Sequence, residues 1–244
     1  LPPELLANLK KLELLNLSSN FLSSNWINFM TFKNLFNLRL LDLSYNKLTS
    51  LENSIFSDLT SLEMLDLKNN LIENIAMDTF ANLSSLTSLV LSHNFIKNVN
   101  FSLNSLSNLN VLSLDFNEIY TVEKHLVVNS LKLVDLHLNN NKFFRVPSFI
   151  ENFQILKFLD LGENFIKNLS DLESFANLKY LYGLRLTENQ IESLERNHFT
   201  HLKNLQIVNL SKNRIRHIDR ESFGSNEFLQ AIRLDGNSIK NIDY

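Results

Sequence analysis

Residues 40–48 read LLDLSYNKL, and the spacing of leucine and asparagine in this stretch returns throughout the chain. The same spacing appears in MLDLKNNLI at residues 64–72 and in LVLSHNFI at residues 89–96. The template LxxLxLxxNxL, with other aliphatic residues or phenylalanine allowed for leucine, fits ten times at intervals of 23–26 residues. Repetition of this kind predicts a solenoid of stacked units. The template asparagines are Asn20, Asn46, Asn70, Asn94, Asn117, Asn141, Asn164, Asn189, Asn213 and Asn237.

The alternation within each LxL pair predicts a short strand whose leucines face inward and whose middle residue faces outward. One unit cannot bury its leucines alone, whereas stacked units bury them against one another. The turn after each strand leaves backbone groups unpaired inside the coil, and a buried asparagine side chain can both donate to them and accept from them. The ten asparagines are therefore predicted to be structural and to stack as a ladder.

The pattern resembles the leucine-rich repeat family over essentially all 244 residues. The 24-residue period, with a second half such as Phe56-x-x-Leu59-x-x-Leu62, resembles the typical subclass of animal extracellular proteins. The resemblance implies an α/β repeat solenoid, a leucine-rich repeat horseshoe with a concave parallel β-sheet and an irregular convex side. Within this subclass the sequence resembles the ectodomains of Toll and Toll-like receptors, and chaoptin-like adhesion ectodomains are similar as well.

Residues 1–244 are predicted to form a single solenoid of about ten repeats. The first residues read as the end of a preceding repeat, and the chain stops soon after its tenth strand. Neither end carries the cysteine-rich cap that the resemblance implies for secreted members. We therefore expect both termini to be cut within repeats of a longer protein, so that the absence of cysteine does not report the redox compartment.

The composition limits the classes of partner. A net charge of −3 and a pI near 6.1 argue against a surface for nucleic acid or anionic membrane at neutral pH. No apolar run approaches the roughly 20 residues that span a bilayer, so membrane attachment is expected only through segments outside this chain. Protonation of all six histidines would change the net charge from −3 to −3 + 6 = +3, which leaves an acid-dependent nucleic-acid receptor as a minor alternative.

A phenylalanine spine is predicted on the convex side, and repeats four to six interrupt it. The residues aligned with the spine there are near Leu103, Val127 and Ile150, which predicts aliphatic replacement or a local change of curvature. Trp26 falls in an irregular turn with two extra residues and is predicted to be a packing plug. The spine residues are Phe32, Phe56, Phe80, Phe175, Phe199 and Phe223.

Five N-x-S/T sequons favour a secreted or cell-surface location when they are taken together with the repeat subclass. Two of them occupy outward strand positions, so glycans there would flank the concave sheet at both ends. The predicted glycosylation sites are Asn16, Asn82, Asn100, Asn168 and Asn209.

No catalytic, metal or cofactor site is predicted. Thiol chemistry and cysteine-based zinc sites are excluded because the chain contains no cysteine. His198 and His201 form the closest histidine pair, in a convex segment where both are predicted to be solvated. Carboxylates such as Asp42 and Asp66 recur in register as a consequence of the repeat, and no glycine-rich loop could hold a phosphate.

The outward positions of the concave strands are predicted to carry the function. Large residues just before the ladder asparagine, Tyr45, His93 and Phe116, are of the type enriched at binding hot spots. Packing of each ring on its neighbour is the alternative reading. Val90 adds apolar surface beside His93 and Phe116. The residues directly before each LxL pair form a column along the sheet, and most of them are predicted to be half-buried and packed at its edge. The complete set of predicted ligand-binding residues is Tyr45, Asp66, Val90, His93, Phe116, His137, Phe158, Asp160 and Arg185.

The sequence therefore predicts a non-enzymatic recognition module. The first hypothesis, implied by the resemblance, is part of a Toll-type receptor ectodomain that binds a protein ligand or co-receptor and signals through a receptor dimer. The second is an extracellular adhesion or matrix protein without a signalling domain. The third is an intracellular scaffold, which the absence of cysteine favours and the repeat subclass disfavours.

Overall fold

The computed structural model describes residues 5–122, 132–169 and 175–242, and it shows a solenoid built around a parallel sheet of ten strands. Each strand is three residues long and contains the first leucine, or its aliphatic equivalent, of an LxL pair. Neighbouring strands come from successive repeats. In chain order the strands are β1 (Leu14–Asn16), β2 (Leu40–Asp42), β4 (Met64–Asp66), β6 (Ser88–Val90), β8 (Val111–Ser113), β10 (Asp135–His137), β11 (Phe158–Asp160), β12 (Gly183–Arg185), β14 (Ile207–Asn209) and β16 (Ala231–Arg233).

The sheet is in register, so equivalent residues of successive repeats lie side by side. Leu41 pairs with Leu65, and Asp42 pairs with Asp66. The middle residue of each strand is fully buried in the interior repeats, while the first and third residues lie on the concave face. The column before the LxL pair therefore lies on the concave face. Five of its ten members are half-buried as predicted, whereas Gly183 is buried and Leu14, Met64, Ile207 and Ala231 are exposed.

A second set of two-residue strands begins four residues after most ladder asparagines. These strands form one three-stranded sheet and two two-stranded sheets. Among the described residues, the convex side otherwise consists of turns and short 3-10 helices such as Ser24–Trp26 and Ser148–Asn152. This confirms the predicted horseshoe architecture with an irregular convex side. The short strands are β3 (Ser50–Leu51), β5 (Asn74–Ile75), β7 (Asn98–Val99), β9 (Thr121–Val122), β13 (Ser193–Leu194), β15 (His217–Ile218) and β17 (Asn241–Ile242).

The asparagine ladder forms as predicted. From Asn46 to Asn237, each Oδ1 accepts a hydrogen bond of 2.9–3.1 Å from a backbone N–H in the turn of the preceding repeat. Each Nδ2 donates to a leucine carbonyl of that preceding repeat and to one of its own repeat. The ladder thus pairs buried backbone groups that water cannot reach.

The phenylalanine spine continues further than the sequence predicts. Phe32 stacks on Phe56, and Phe56 on Phe80, with ring centroids 5.9 Å and 6.3 Å apart. Phe101 then packs edge-on against Phe80 at 5.5 Å, although it lies two residues before the aligned Leu103.

Repeat six also supplies aromatic rings to the convex core. Phe149 and Phe153 are both buried and meet edge-on at 5.6 Å, on either side of Ile150 in the chain. Leu103 and Ile150 are both buried, so the predicted aliphatic replacement is confirmed in repeats four and six, with rings from neighbouring positions packed beside it. Val127, the aligned residue of repeat five, lies outside the described residues.

Two side chains on the convex side and in the irregular turn differ from expectation. Trp26 is 58% exposed, and the neighbouring Ile27 is the buried residue of that turn. His198 is only 6% exposed; its Nδ1 accepts a hydrogen bond from the Glu195 N–H at 3.1 Å, and its ring packs edge-on against Phe199. His201 is exposed, as predicted. The spacing could not separate these two histidines because it does not show which of them faces the core.

Candidate functional site

The residue just before each ladder asparagine adopts a left-handed backbone conformation. Its φ lies between 52° and 71° in all ten repeats. This region disfavours residues with a bulky side chain and is readily adopted by glycine or asparagine. Tyr45, His93 and Phe116 occupy it nevertheless, so the backbone conformation does not explain why large rings stand at these positions. The residues are Ser19, Tyr45, Asn69, His93, Phe116, Asn140, Glu163, Glu188, Lys212 and Gly236.

His93 and Phe116 form a stacked pair. Their ring centroids are 4.1 Å apart and their planes differ by 8°. Each ring therefore packs on its neighbour in the ladder, and both remain partly accessible to solvent. Tyr45 is different, because it is 54% exposed and lies two repeats away from His93.

Further aromatic side chains follow the ladder asparagines, at positions that the sequence interpretation did not consider. They lie one or three residues after the asparagine, in the turns that form one side of the solenoid. We call this side, in repeats three to seven, the turn flank. Phe144 stacks on Phe165 at 5.7 Å, so the two positions meet on one surface. The exposed aromatic residues at these positions are Phe95, Tyr120, Phe144 and Phe165, and the exposed Leu71 and Phe116 adjoin them on the turn flank.

An open groove of about 690 Å³ runs along the turn flank. Leu71, Phe95 and the ring pair of His93 and Phe116 line it together with ladder asparagines. Glu118 also lines the groove, and its carboxylate accepts a hydrogen bond of 3.0 Å from Lys142 Nζ. The groove therefore combines accessible aromatic rings with charged groups at its margin.

A second cluster lies on the concave face in repeats six to eight. His137 and Phe158 are in contact, with ring centroids 5.7 Å apart. The Phe158 ring extends over Gly183 of the next strand, where an added Cβ would lie only 2.7 Å from Phe158 Cδ2. Gly183 thus provides the space that the ring occupies.

Asp160 and Arg185 adjoin this cluster. The Asp160 Oδ2 pairs with Arg185 Nη1 at 3.2 Å, and Oδ1 accepts from the Gly162 N–H at 2.9 Å. Burial raises the pKa of the Asp160 carboxyl above its ordinary value, and these two interactions oppose that rise. Asp160 is 4% exposed, so it orients Arg185 and offers little surface of its own.

Asp66 and Val90 are neighbours on the concave sheet, at paired positions of β4 and β6. Burial raises the pKa of the Asp66 carboxyl, which accepts a hydrogen bond from the Lys68 N–H at 2.9 Å. Six of the nine predicted site residues fall into two groups, and Tyr45, Asp66 and Val90 lie outside both. His93 and Phe116 belong to the turn flank, and His137, Phe158, Asp160 and Arg185 form the concave cluster.

Four of the five sequon asparagines are exposed. Asn16 donates to Asp42 Oδ2 at 3.0 Å across the concave sheet, and Asn82 donates to the Ser57 carbonyl at 3.0 Å. Asn100 and Asn168 are exposed as well. Asn209 is half-buried in β14 and accepts a hydrogen bond from the Ser211 N–H.

Within residues 5–122, 132–169 and 175–242, no group of three or more His, Asp or Glu side chains is arranged to hold a metal ion. In the same ranges no helix has the length and apolar character needed to cross a membrane.

Comparison with known proteins gives one family and several structural relatives. The family model described as leucine rich repeat matches residues 36–96, 61–119 and 179–239. These segments together cover more than half of the chain. A search of curated proteins finds no match.

The solved structures that resemble the chain include Toll in the Drosophila Toll–Spatzle complex, with a TM-score of 0.85 and 27% identity over 96% of this chain and 31% of that one. TLR13 in its complex with ssRNA13 has a TM-score of 0.64 and 28% identity, over 98% of this chain and 42% of TLR13. The leucine-rich repeat ectodomain of the Arabidopsis thaliana receptor kinase GASSHO1/SCHENGEN3, in complex with CASPARIAN STRIP INTEGRITY FACTOR 2, has a TM-score of 0.62 and 25% identity. The match covers 96% of this chain and 28% of that one.

The chain spans less than half the length of each of these relatives. Each of these structures is a complex with a bound partner, and this type of module binds rather than catalyses. The chain belongs to the leucine-rich repeat family, as a non-enzymatic interaction module that resembles the ectodomains of Toll and Toll-like receptors.

Proposed function

We propose that this chain forms part of the ectodomain of a cell-surface receptor of the Toll-like type, which binds a protein ligand and signals through receptor association. The observation that carries the proposal is the exposed aromatic surface of the turn flank. Single exposed apolar residues are normal, whereas apolar side chains gathered in one patch mark interaction sites.

The chemistry of the turn flank suits a protein partner. Aromatic side chains are enriched at binding hot spots because they bury a large area while losing few rotamers. Stacking already fixes two pairs of rings, His93 with Phe116 and Phe144 with Phe165. These rings would lose little further freedom when a partner covers them.

The structural relatives support a protein as the ligand. Toll is bound to Spatzle, and GASSHO1/SCHENGEN3 is bound to CASPARIAN STRIP INTEGRITY FACTOR 2. TLR13 is bound to single-stranded RNA. For this chain the net charge of −3 argues against a nucleic-acid ligand at neutral pH.

To test the proposal, the complete ectodomain that contains this chain is expressed. Its binding to secreted proteins of the same organism is then measured by surface plasmon resonance. The test variant combines Phe95→Ser, Phe116→Ser and Phe144→Ser. We expect at least one protein ligand whose Kd rises more than about tenfold in this variant, because hot-spot rings dominate binding energy. Analytical ultracentrifugation of the wild type with that ligand is expected to show two receptors per complex.

The matched control is Phe36→Ser, an equally exposed phenylalanine that lies outside the turn flank. It is expected to leave the Kd unchanged. The proposal fails if no protein ligand binds, or if the ligand binds the triple variant as tightly as the wild type. A ligand complex that stays at one receptor would contradict signalling by association and favour an adhesion role.

An extracellular location is part of the same proposal. When the receptor is secreted from animal cells, we expect N-linked glycans at the exposed Asn82, Asn100 and Asn168, because their side chains have room for a sugar. Peptide mapping by mass spectrometry measures the occupancy at each asparagine. A secreted product with all five sequons unmodified would remove this support for the location.

A further inference from the structure

A carboxylate without a partner lies beside the concave cluster. Asp135 is the first residue of β10, and it is only partly buried. Its side chain makes no hydrogen bond or ion pair with any residue in the described ranges. The carboxylate of the cluster itself, Asp160, is neutralised by Arg185. An unpaired negative charge therefore faces the concave surface at this one strand.

The Phe158 ring lies on the neighbouring strand at the paired position. Asp135 and Phe158 are direct partners in the parallel register of β10 and β11, which places their Cα atoms about 5 Å apart. The Phe158 ring and the Asp135 side chain are both only partly buried. Both are therefore accessible to a ligand group, from adjacent positions of the concave face.

An aromatic ring beside a free carboxylate is a site for a cation. The face of the ring attracts a guanidinium or an ammonium group through its quadrupole, and the carboxylate adds a charge-assisted hydrogen bond. A purely apolar ligand group would leave Asp135 buried without a partner, which is unfavourable. The pair therefore selects a positively charged group over an aliphatic one.

We propose that Phe158 and Asp135 form a site for one basic side chain, an arginine or a lysine, of the protein ligand. Gly183 is a positioning residue of this site, because it allows the ring to extend over β12. The proposal rests on the proposed function only in taking the ligand to be a protein. It predicts that the ligand places a basic residue against repeats six and seven.

The test uses small probes in place of the ligand. The full chain, labelled with carbon-13 in its Phe and His rings, is titrated with methylguanidinium, methylammonium and the neutral methylurea, and NMR follows the ring signals. We expect the Phe158 and His137 signals to shift saturably with at least one cation and not with methylurea. The cation that binds more tightly identifies arginine or lysine as the ligand group.

Three variants locate the effect. Asp135→Asn removes the charge, and Gly183→Ala displaces the ring without touching the cation; each is expected to weaken binding at least about threefold. Met64→Leu, at the equivalent position of β4, is the matched control and is expected to bind like the wild type. Ring signals that remain dispersed show that each variant is folded.

The proposal is overturned if methylurea produces the same shifts as the cations, or if Asp135→Asn binds as tightly as the wild type. Because no protein ligand takes part in this titration, its failure leaves the proposed function intact. Conversely, cation binding here together with a failed ligand screen would contradict only the receptor proposal.

Discussion

At the scale of single residues, the ladder asparagines stabilise the fold by pairing buried backbone groups. Asn141 accepts a hydrogen bond from the Ile119 N–H at 2.9 Å and donates to the carbonyls of Leu114 and Leu138 at 2.9 Å and 3.1 Å. All of these groups are buried. One side chain therefore pairs backbone groups of two repeats at once.

We expect Asn141→Ala to lower the free energy of unfolding by about 3 kcal/mol, since each buried group left without a partner costs roughly 1–3 kcal/mol. Urea denaturation measures the loss. Asn139→Ala is the control, because the Asn139 side chain is only partly buried and makes no hydrogen bond to a described residue. Equal stability of the two variants would show that the ladder does not stabilise the fold.

His198 is a second residue whose environment leads to a prediction. Burial lowers the pKa of its imidazole, and the nearby Glu195 carboxylate opposes this shift. The unfolded chain, with an ordinary histidine pKa of about 6.5, therefore binds more protons than the folded chain below that pH. This contribution to stability is complete above pH 6.5 and is lost as the pH falls towards the folded pKa.

We accordingly expect the free energy of unfolding to fall between pH 7.5 and pH 5, and to fall less in His198→Gln. Chemical denaturation at several pH values measures both slopes. His201→Gln, in the same convex turn but exposed, is the matched control. The assignment is wrong if only the His201 variant becomes less sensitive to pH.

At the scale of elements, the convex core depends on rings that come from shifted positions. Phe101 fills the space beside Phe80 although repeat four is one residue shorter than the repeat before it. We expect Phe101→Ala to lower the free energy of unfolding by about 3–5 kcal/mol through the cavity it leaves.

Phe95 of the same repeat provides the comparison for that measurement. It is 44% exposed on the turn flank, so Phe95→Ala is expected to change stability by less than about 0.5 kcal/mol. Thermal unfolding of both variants, followed by circular dichroism, gives the two values. A small effect of both would mean that Phe101 does not belong to the spine.

The strands and the ladder could be predicted from the sequence because each depends on a fixed spacing. Residues equivalent to Leu41, Leu43 and Asn46 occur in every repeat, and the period-two alternation directs the leucines inward. The position of Phe101 could not be predicted, because alignment by spacing assumes that the backbone follows the same course in every convex segment. In repeat four, packing against Phe80 brings Phe101 into the core instead.

The candidate site was predicted only in part, for a related reason. The third strand residue, such as His137 or Asp160, faces outward by alternation and was found. Phe95 and Phe144 lie in turns, where no period fixes the direction of a side chain. A phenylalanine directly after the ladder asparagine, repeated at Phe21, Phe95 and Phe165, was the available signal.

At the scale of the whole molecule, contacts between sheet strands connect only successive repeats. Each interior strand has two neighbours, while β1 and β16 each have one in the described sheet. Stability in such an array is a sum of units and their interfaces. All three residues of β16 are exposed, whereas the middle residue of β8 is fully buried.

We therefore expect native-state hydrogen exchange to vary along the chain. When residues 1–244 are expressed alone, amides of β6, β8, β10 and β11 are expected to exchange most slowly, and those of β16 at least about a hundredfold faster, because local opening free energies fall towards zero at exposed ends. Mass spectrometry of exchanged peptides measures the gradient. Uniform protection along the described sheet would instead indicate a single cooperative unit.

The asparagine ladder also has a direction. Its inter-repeat hydrogen bonds are all made by an asparagine that reaches back to the repeat before it; the Leu48 N–H, for example, is paired by Asn70, which lies 22 residues later in the chain. A ribosome releases the earlier repeat first. We therefore expect the turn of the newest repeat to keep unpaired backbone groups during synthesis until the following repeat has emerged, so that the repeats fold in the order in which they are translated.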